Sequence, residues 1–491
     1  MKIAFLSSEV FPYAKTGGLA DVAGSLPIEL NNLGHEVKVF MPKYNLFGEV
    51  EHGLHYQWSI GEIPVRVAGK VHSVHVHTAK LPRSNVEIYF VDCPYYFHRF
   101  TVYTNDHDED ERFILFMKGT IEILQRLQWA PDIIHCNDWQ TGLTPLLLKE
   151  NYGWDKLFEK TATVFTIHNV AYQGRFSKET FYKAEIKEEH FLHGGLGEYE
   201  GGVNFMKTAI LTSDVINTVS ETYAKELLTP EYGEGMQDYL RMRQNDLYGI
   251  INGIDYNVWD PEKDVLIPFQ YSKENLSGKL QNKKFLVNHL GFEFNEDVPL
   301  IGIVSRMVSQ KGFDIIGYAL NDLLQLPAQW VVLGGGEQHY EDMFRDVANR
   351  YPNKFYFYRG YNNELAHLIE AATDIFLMPS RFEPCGLNQI YSLRYGTVPV
   401  VRKTGGLADT VLDWNEYLAQ GKEIGTGYSF NDYTGYALLL SVQRAINDFH
   451  LKDVWYKIQM NGMSKDYSWK KSAEKYIELY KKAVIKVRSV K

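Results

Sequence analysis

The heptapeptide Lys-Thr-Gly-Gly-Leu-Ala-Asp stands twice in this chain, at 15–21 and at 403–409. Each copy comes after an apolar run that reads as a buried strand, 3–6 before the first and 398–401 before the second. Each leads into a stretch that reads as a helix. A Gly-Gly pair in such a turn lets the main chain approach a ligand closely, because no Cβ stands in the way. The helix that follows offers unpaired N–H groups and a partial positive charge, which suit an anion. Two copies predict two similar domains facing one anionic ligand across a deep cleft.

At 491 residues the chain exceeds one comfortable core, so two domains are expected. In the first half, strands are expected at 3–7, 37–41, 70–77, 87–91, 132–136, 162–167 and 215–219, with a helix over 111–128. In the second half they are expected at 299–304, 330–333, 354–358, 374–378 and 397–401. The spacing leaves room for one helix between each pair, the signature of a parallel sheet covered on both faces. An apolar-faced helix starting near Ser468 follows the second sheet and needs the first domain to pack on. The expected division is 1–247 and 248–467, with 468–491 returning to complete the first domain.

Lys plus Arg number 51 against 61 Asp plus Glu, a net charge of −10, which disfavours nonspecific nucleic-acid binding. Cys93, Cys136 and Cys385 are widely spaced and form neither a disulfide framework nor a zinc pattern, which points to a reducing compartment. The chain begins at once with a strand and has no long apolar run, so neither a signal peptide nor a membrane span is expected, and the expected location is cytoplasmic. The first strand does not lead into Gly-x-Gly-x-x-Gly, so no nicotinamide or flavin cofactor is expected. Asp106-His107-Asp108 has metal-site spacing, but it lies in an acidic run with no buried strand before it and reads as a solvated helix start.

In open parallel sheets ligands bind beyond the carboxyl ends of the strands. Arg306 and Lys311 follow the run 300–304 and supply a planar fork and a compact charge, both suited to phosphate. With Gly405 and Gly406 as amide donors they form a candidate diphosphate site. Glu383 follows 375–379, where a carboxylate binds sugar hydroxyls or steadies positive charge at an anomeric carbon. Asp138, Trp139 and His168 follow strands of the first half; a tryptophan face suits a pyranose ring.

These motifs together resemble those of the bacterial glycogen synthases and plant starch synthases over essentially the whole chain. The resemblance rests on Lys15–Asp21, His168-Asn169, Asn252-Gly253-Ile254-Asp255, Ser305-Arg306 with Gln310-Lys311-Gly312, Glu383-Pro384-Cys385-Gly386-Leu387, and Lys403–Asp409. It implies an α/β fold of the GT-B type, with two Rossmann-like domains. It also implies ADP-glucose as donor, an α-1,4-glucan acceptor, retention at the anomeric carbon, and no metal or cofactor. It places Lys15, Gly18, Tyr361, Thr404, Gly405 and Gly406 against the donor, Tyr361 on the nucleobase. Asp21, Asp138, Trp139, His168 and Asn252 are to line the sugar and acceptor side; Arg306 and Lys311 are to grip the diphosphate, and Glu383 is the key carboxylate. The chain departs from related patterns at Tyr391, where other families carry a second Glu, and at Gln140 and Phe97. From residues alone, UDP-glucose as donor, another acceptor, and a non-catalytic glucan-binding role stay open.

Overall fold

The computed structural model describes residues 1–489. The chain divides into two compact units. One comprises Met1–Val219, Ala224–Gly253 and the chain from Trp469 onward; the other comprises Ser220–Tyr223 and Ile254–Ser468.

The strands of the first unit are β1 (Lys2–Leu6), β2 (Glu36–Pro42), β3 (His55–Tyr56), β4 (Ile63–Val67), β5 (Lys70–Lys80), β6 (Glu87–Asp92), β7 (Ile133–Asn137), β8 (Ala162–Ile167), β9 (Arg175–Phe176), β10 (Glu198–Tyr199), β11 (Gly202–Asn204), β12 (Val215–Thr218) and β13 (Leu247–Gly249). Ten of them form one sheet in the order β13-β12-β8-β7-β1-β2-β6-β5-β3, with β4 on β5; β10, β11 and β9 form a small separate sheet. Pairing is parallel from β13 through β6 and turns antiparallel at β5. The first unit ends at Gly253 rather than at 247, because β13 pairs in parallel with β12 as the sheet's edge. A three-residue, half-buried edge strand carries too little pattern to be seen in sequence.

The second unit holds β14 (Leu300–Val304), β15 (Gln329–Gly334), β16 (Phe355–Arg359), β17 (Ile375–Met378), β18 (Val398–Arg402) and β19 (Tyr428–Phe430). All are parallel, in the order β16-β15-β14-β17-β18-β19. Both faces are covered, which is why these strands read as unbroken apolar runs. Ile301, Ile303 and Val332 join Phe313, Ile316 and Leu438 in one cluster. Their neighbours Leu300, Val331 and Leu333 join Leu286, Ile369 and Phe376 in the other.

The final helix is Trp469–Ser489; positions 490–491 of the expected span lie outside the described residues. It packs on the first unit through polar as well as apolar groups. Tyr480 Oη and Thr166 Oγ1 each lie 2.7 Å from a nitrogen of the buried His135 ring, and Ser472 Oγ donates to the Ile251 carbonyl at 2.7 Å. Asp106 and His107 are exposed just before the helix Glu109–Arg126, as expected of a solvated helix start, but Asp108 is buried, and Arg99 pairs with both aspartates. Among the described residues no helix is long and apolar enough to cross a membrane.

Candidate active site

In the second unit the expected residues follow strands that are neighbours. β14 leads to Arg306 and Lys311, β17 to Glu383, and β18 to Thr404-Gly405-Gly406; β16 leads to Tyr361. Because all are parallel, these loops share the carboxyl edge of one sheet.

Local backbone chemistry brings Lys311 to Glu383. Lys311 closes a short 3-10 turn, and Gly312 follows at φ +83°, a conformation glycine adopts without strain. A Cβ on Gly312 would stand 2.1 Å from the Pro379 carbonyl oxygen, so only glycine lets the loops after β14 and β17 touch. Lys311 Nζ then sits 2.6 Å from Glu383 Oε2, which also accepts from Ser380 Oγ at 3.0 Å. Glu383 is buried, while Arg306 is exposed with no ion-pair partner among the described residues. Tyr361 is 72% exposed, and its hydroxyl donates to Asn363 Oδ1 at 2.9 Å, leaving the ring open to stacking.

The Gly406 amide does not act as expected. The Gly406 N–H donates to the carbonyls of Glu383 and Pro384, at 3.1 and 3.2 Å, and is not free for a phosphate. A Cβ on Gly405 or Gly406 would stand 2.0 Å from the carbonyl oxygen of Glu383 or Cys385 respectively. Main chain approaches main chain here, and the glycines seat the segment that carries Glu383. Thr404 is buried, with its N–H on the Arg402 carbonyl.

In the first unit β8, β7 and β1 are likewise neighbours, and their carboxyl ends carry His168, Asp138 and the first heptapeptide. Asp138 has φ +55°, and its Oδ1 accepts the His168 N–H at 2.8 Å. Burial pushes its carboxyl up to about 7 against the opposing amides of His168 and Asn169. His168 Nε2 lies 2.9 Å from Asn137 Oδ1; Asn137 Nδ2 donates to the Leu6 carbonyl, so Oδ1 is the acceptor and Nε2 carries the proton. Burial holds this ring down to about 3, so it is neutral at physiological pH, with its lone pair on Nδ1.

Lys15 Nζ pairs with Asp21 Oδ1 at 2.7 Å, and both remain partly exposed. Burial raises the Asp21 carboxyl, with Lys15 opposing. The second heptapeptide has a different pairing: Asp409 accepts from the Thr222 N–H and hydroxyl. Gly18 opens the helix Gly18–Asn32, and a Cβ there would meet nothing within 4 Å.

Two expected residues stand elsewhere. Trp139 is no sugar platform: it is buried, with Phe113, Phe176 and Phe205 rings 5.0, 5.4 and 6.0 Å away. Asn252 follows β13, separated from β8 by β12; it is buried, and its Oδ1 has no hydrogen-bond partner among the described residues. Phe97 and Gln140 are buried too, and Tyr391 stacks on Trp259 at 3.9 Å. Sequence reasoning passed over Glu9, Asn137 and Ser380, which hold the site residues rather than offering themselves to a ligand. The one available signal was an acidic residue, Glu9, between a buried strand and a Gly-Gly turn.

Comparison with known proteins identifies the family. Residues 2–242 match the starch synthase catalytic domain, and residues 288–457 match glycosyl transferases group 1. A glycogen synthase of Desulforudis audaxviator is 44% identical over 99% of this chain and 97% of its own length. That of Thermotoga maritima is 45% identical over 99% and 100%. The catalytic domain of starch synthase IV from Arabidopsis thaliana, solved with ADP and acarbose, superposes with a TM-score of 0.88 at 31% identity, over 98% of this chain and 99% of that one. These relatives put the fold in the GT-B class, and the chain belongs to the glycogen and starch synthase family of glycosyltransferases, as a glucosyltransferase of glycogen synthesis.

Proposed function

We propose that the chain transfers glucose from ADP-glucose to the 4-hydroxyl at the non-reducing end of an α-1,4-glucan, with retention. The observation that carries this reading is the set Arg306, Lys311 and Glu383 on loops at one sheet edge, with Lys311 paired to the buried Glu383 carboxylate and Arg306 exposed on the same loop as Lys311. The starch synthase neighbour, solved with ADP and acarbose, supports a nucleotide-linked donor. Arg306 and Lys311 take up charge on the departing diphosphate, with Lys311 shared between phosphate and Glu383. Tyr361 stacks on the base; Thr404, Gly405 and Gly406 shape the donor pocket by holding the Glu383 segment. The second unit thus binds donor. The first unit supplies Lys15 and Gly18 to the donor and Asp21, Asp138 and His168 to the sugar and acceptor. The absence of a membrane-crossing helix among the described residues is consistent with work in the cytoplasm.

A double displacement needs two carboxyl groups about 5 Å apart, one of them a free nucleophile. Glu383 is instead neutralised by Lys311 and bonded by Ser380, which supports same-face attack as the diphosphate leaves. The leaving phosphate takes the acceptor's proton, and Glu383 steadies charge at the anomeric carbon.

The test is glucose incorporation measured over a grid of ADP-glucose and UDP-glucose against glycogen, maltooligosaccharides and a free hexose phosphate. ADP-glucose with glycogen should dominate, and the α-linkage of the product should match that of the donor. Arg306→Ala should lose about a hundred- to a thousandfold in turnover. Full activity in that variant, or preference for UDP-glucose with a hexose phosphate, overturns the reading.

A further inference from the structure

A Gly-Gly turn before a fifteen-residue helix is an anion site by its chemistry, and in the first unit an anion of the chain's own already fills it. Glu9 is 3% exposed. Its Oε2 accepts the N–H groups of Thr16 and of Gly17, the latter at 3.1 Å. Its Oε1 accepts the Thr16 hydroxyl at 2.6 Å and the Tyr103 hydroxyl at 2.5 Å. Four donors occupy most of what one carboxylate accepts. The main chain of Glu9 is pinned as well, since Ser7 Oγ donates to its carbonyl at 2.6 Å. Ser8 Oγ lies 2.9 Å from the Tyr103 hydroxyl and ties the far side. A donor phosphate cannot take the Thr16 and Gly17 amides without expelling a buried carboxylate. What this turn leaves for a ligand is the Lys15 ammonium and the open surface at Gly18.

We propose that Glu9 is a positioning residue for glucosyl transfer: its carboxylate stands in for an anionic ligand at the first glycine turn and fixes the conformation from which Lys15 and Gly18 meet the donor. The proposal rests on the donor reading above, and it assigns the two glycine turns different anchors. The turn at 16–17 is held by a side-chain carboxylate, the turn at 405–406 by main-chain carbonyls. Neither presents the anchored amides to phosphate.

Glu9→Gln keeps the shape but turns an N–H₂ toward donors that need an acceptor. It should lower kcat/KM for ADP-glucose by about ten- to a hundredfold, and because it acts through the Lys15 turn the loss should shrink to less than about threefold in a Lys15→Ala background. An equal loss in both backgrounds overturns the proposal, since a merely structural residue would act independently of Lys15. Tyr103→Phe removes one donor only; it should show the same coupling to Lys15 at smaller size, and it decides the matter if Glu9→Gln does not fold. Hydrogen exchange over residues 14–20 of the resting protein gives a readout without substrate. The Thr16 and Gly17 amides should exchange at least about tenfold faster in Glu9→Gln, as protecting hydrogen bonds are lost; unchanged exchange overturns the proposal. If the wild-type protein transfers no glucose from ADP-glucose, the donor reading fails, and exchange alone decides whether Glu9 holds the turn.

Discussion

Lys311→Met separates the structural and chemical parts of the Lys311–Glu383 pair. The ammonium and carboxylate are 2.6 Å apart, with side chains 19% and 7% exposed. At an effective dielectric of about 20 their attraction is about 6 kcal/mol before desolvation is subtracted. Removing one partner of a buried pair costs about 3–5 kcal/mol, because the other charge stays behind unpaired. Lys311 is reached by some solvent, so the lower end applies, about 3 kcal/mol. Among the described residues Ser380 Oγ is the only other side-chain donor on Glu383, and it cannot replace a charge. Lys311→Met/Glu383→Gln removes both charges and should regain most of the lost stability, while turnover stays at least about a hundredfold down. Urea denaturation of the wild type, both single variants and the double variant measures the first quantity; glucose incorporation at saturating donor measures the second. A single variant as stable as wild type, or a double variant with near-normal turnover, refutes the reasoning.

Trp139→Ala should destabilise by about 3–5 kcal/mol, as a buried aromatic truncation; a well-folded variant with only a raised acceptor KM would restore the sugar-platform role. Gly406→Ala places a Cβ 2.0 Å from the Cys385 carbonyl oxygen, and thermal melting should reveal a loss of about 1–3 kcal/mol or more together with lost turnover. Burial holds His135 down to about 3. Below its ordinary value near 6.5 the unfolded chain binds a proton that the native state refuses, so stability falls as pH drops from 6.5 toward 3. The slope from this one residue approaches about 1.4 kcal/mol per pH unit. Urea midpoints at pH 7.0 and 5.5 should show a shallower acid loss in His135→Gln than in wild type, and parallel losses in the two would contradict the assignment.

Patterns that depend on neighbours in the chain were legible without coordinates. Unbroken apolar runs such as 300–304 and 330–333 announced strands buried on both faces, and their spacing announced parallel order. Once the sheet was parallel, Arg306, Lys311, Glu383 and Gly405 had to share its carboxyl edge, whatever their sequence separation. The edge strands β13 and β19 escaped, being three residues long with no periodicity to read.

What a side chain touches across a loop is set by packing between distant segments, and a linear pattern carries no trace of it. An aromatic after a strand looks the same whether it faces solvent or, as Trp139 does, three phenylalanine rings. Two glycines look the same whether their amides await a phosphate or already serve Glu9 on one side and the Glu383 carbonyl on the other. Residue types and their order settled the elements and the edge where chemistry gathers, because secondary structure and strand direction are local. Which donors remain for a ligand was settled by folding, because each buried polar group first satisfies itself with whatever the chain brings within 3 Å or so.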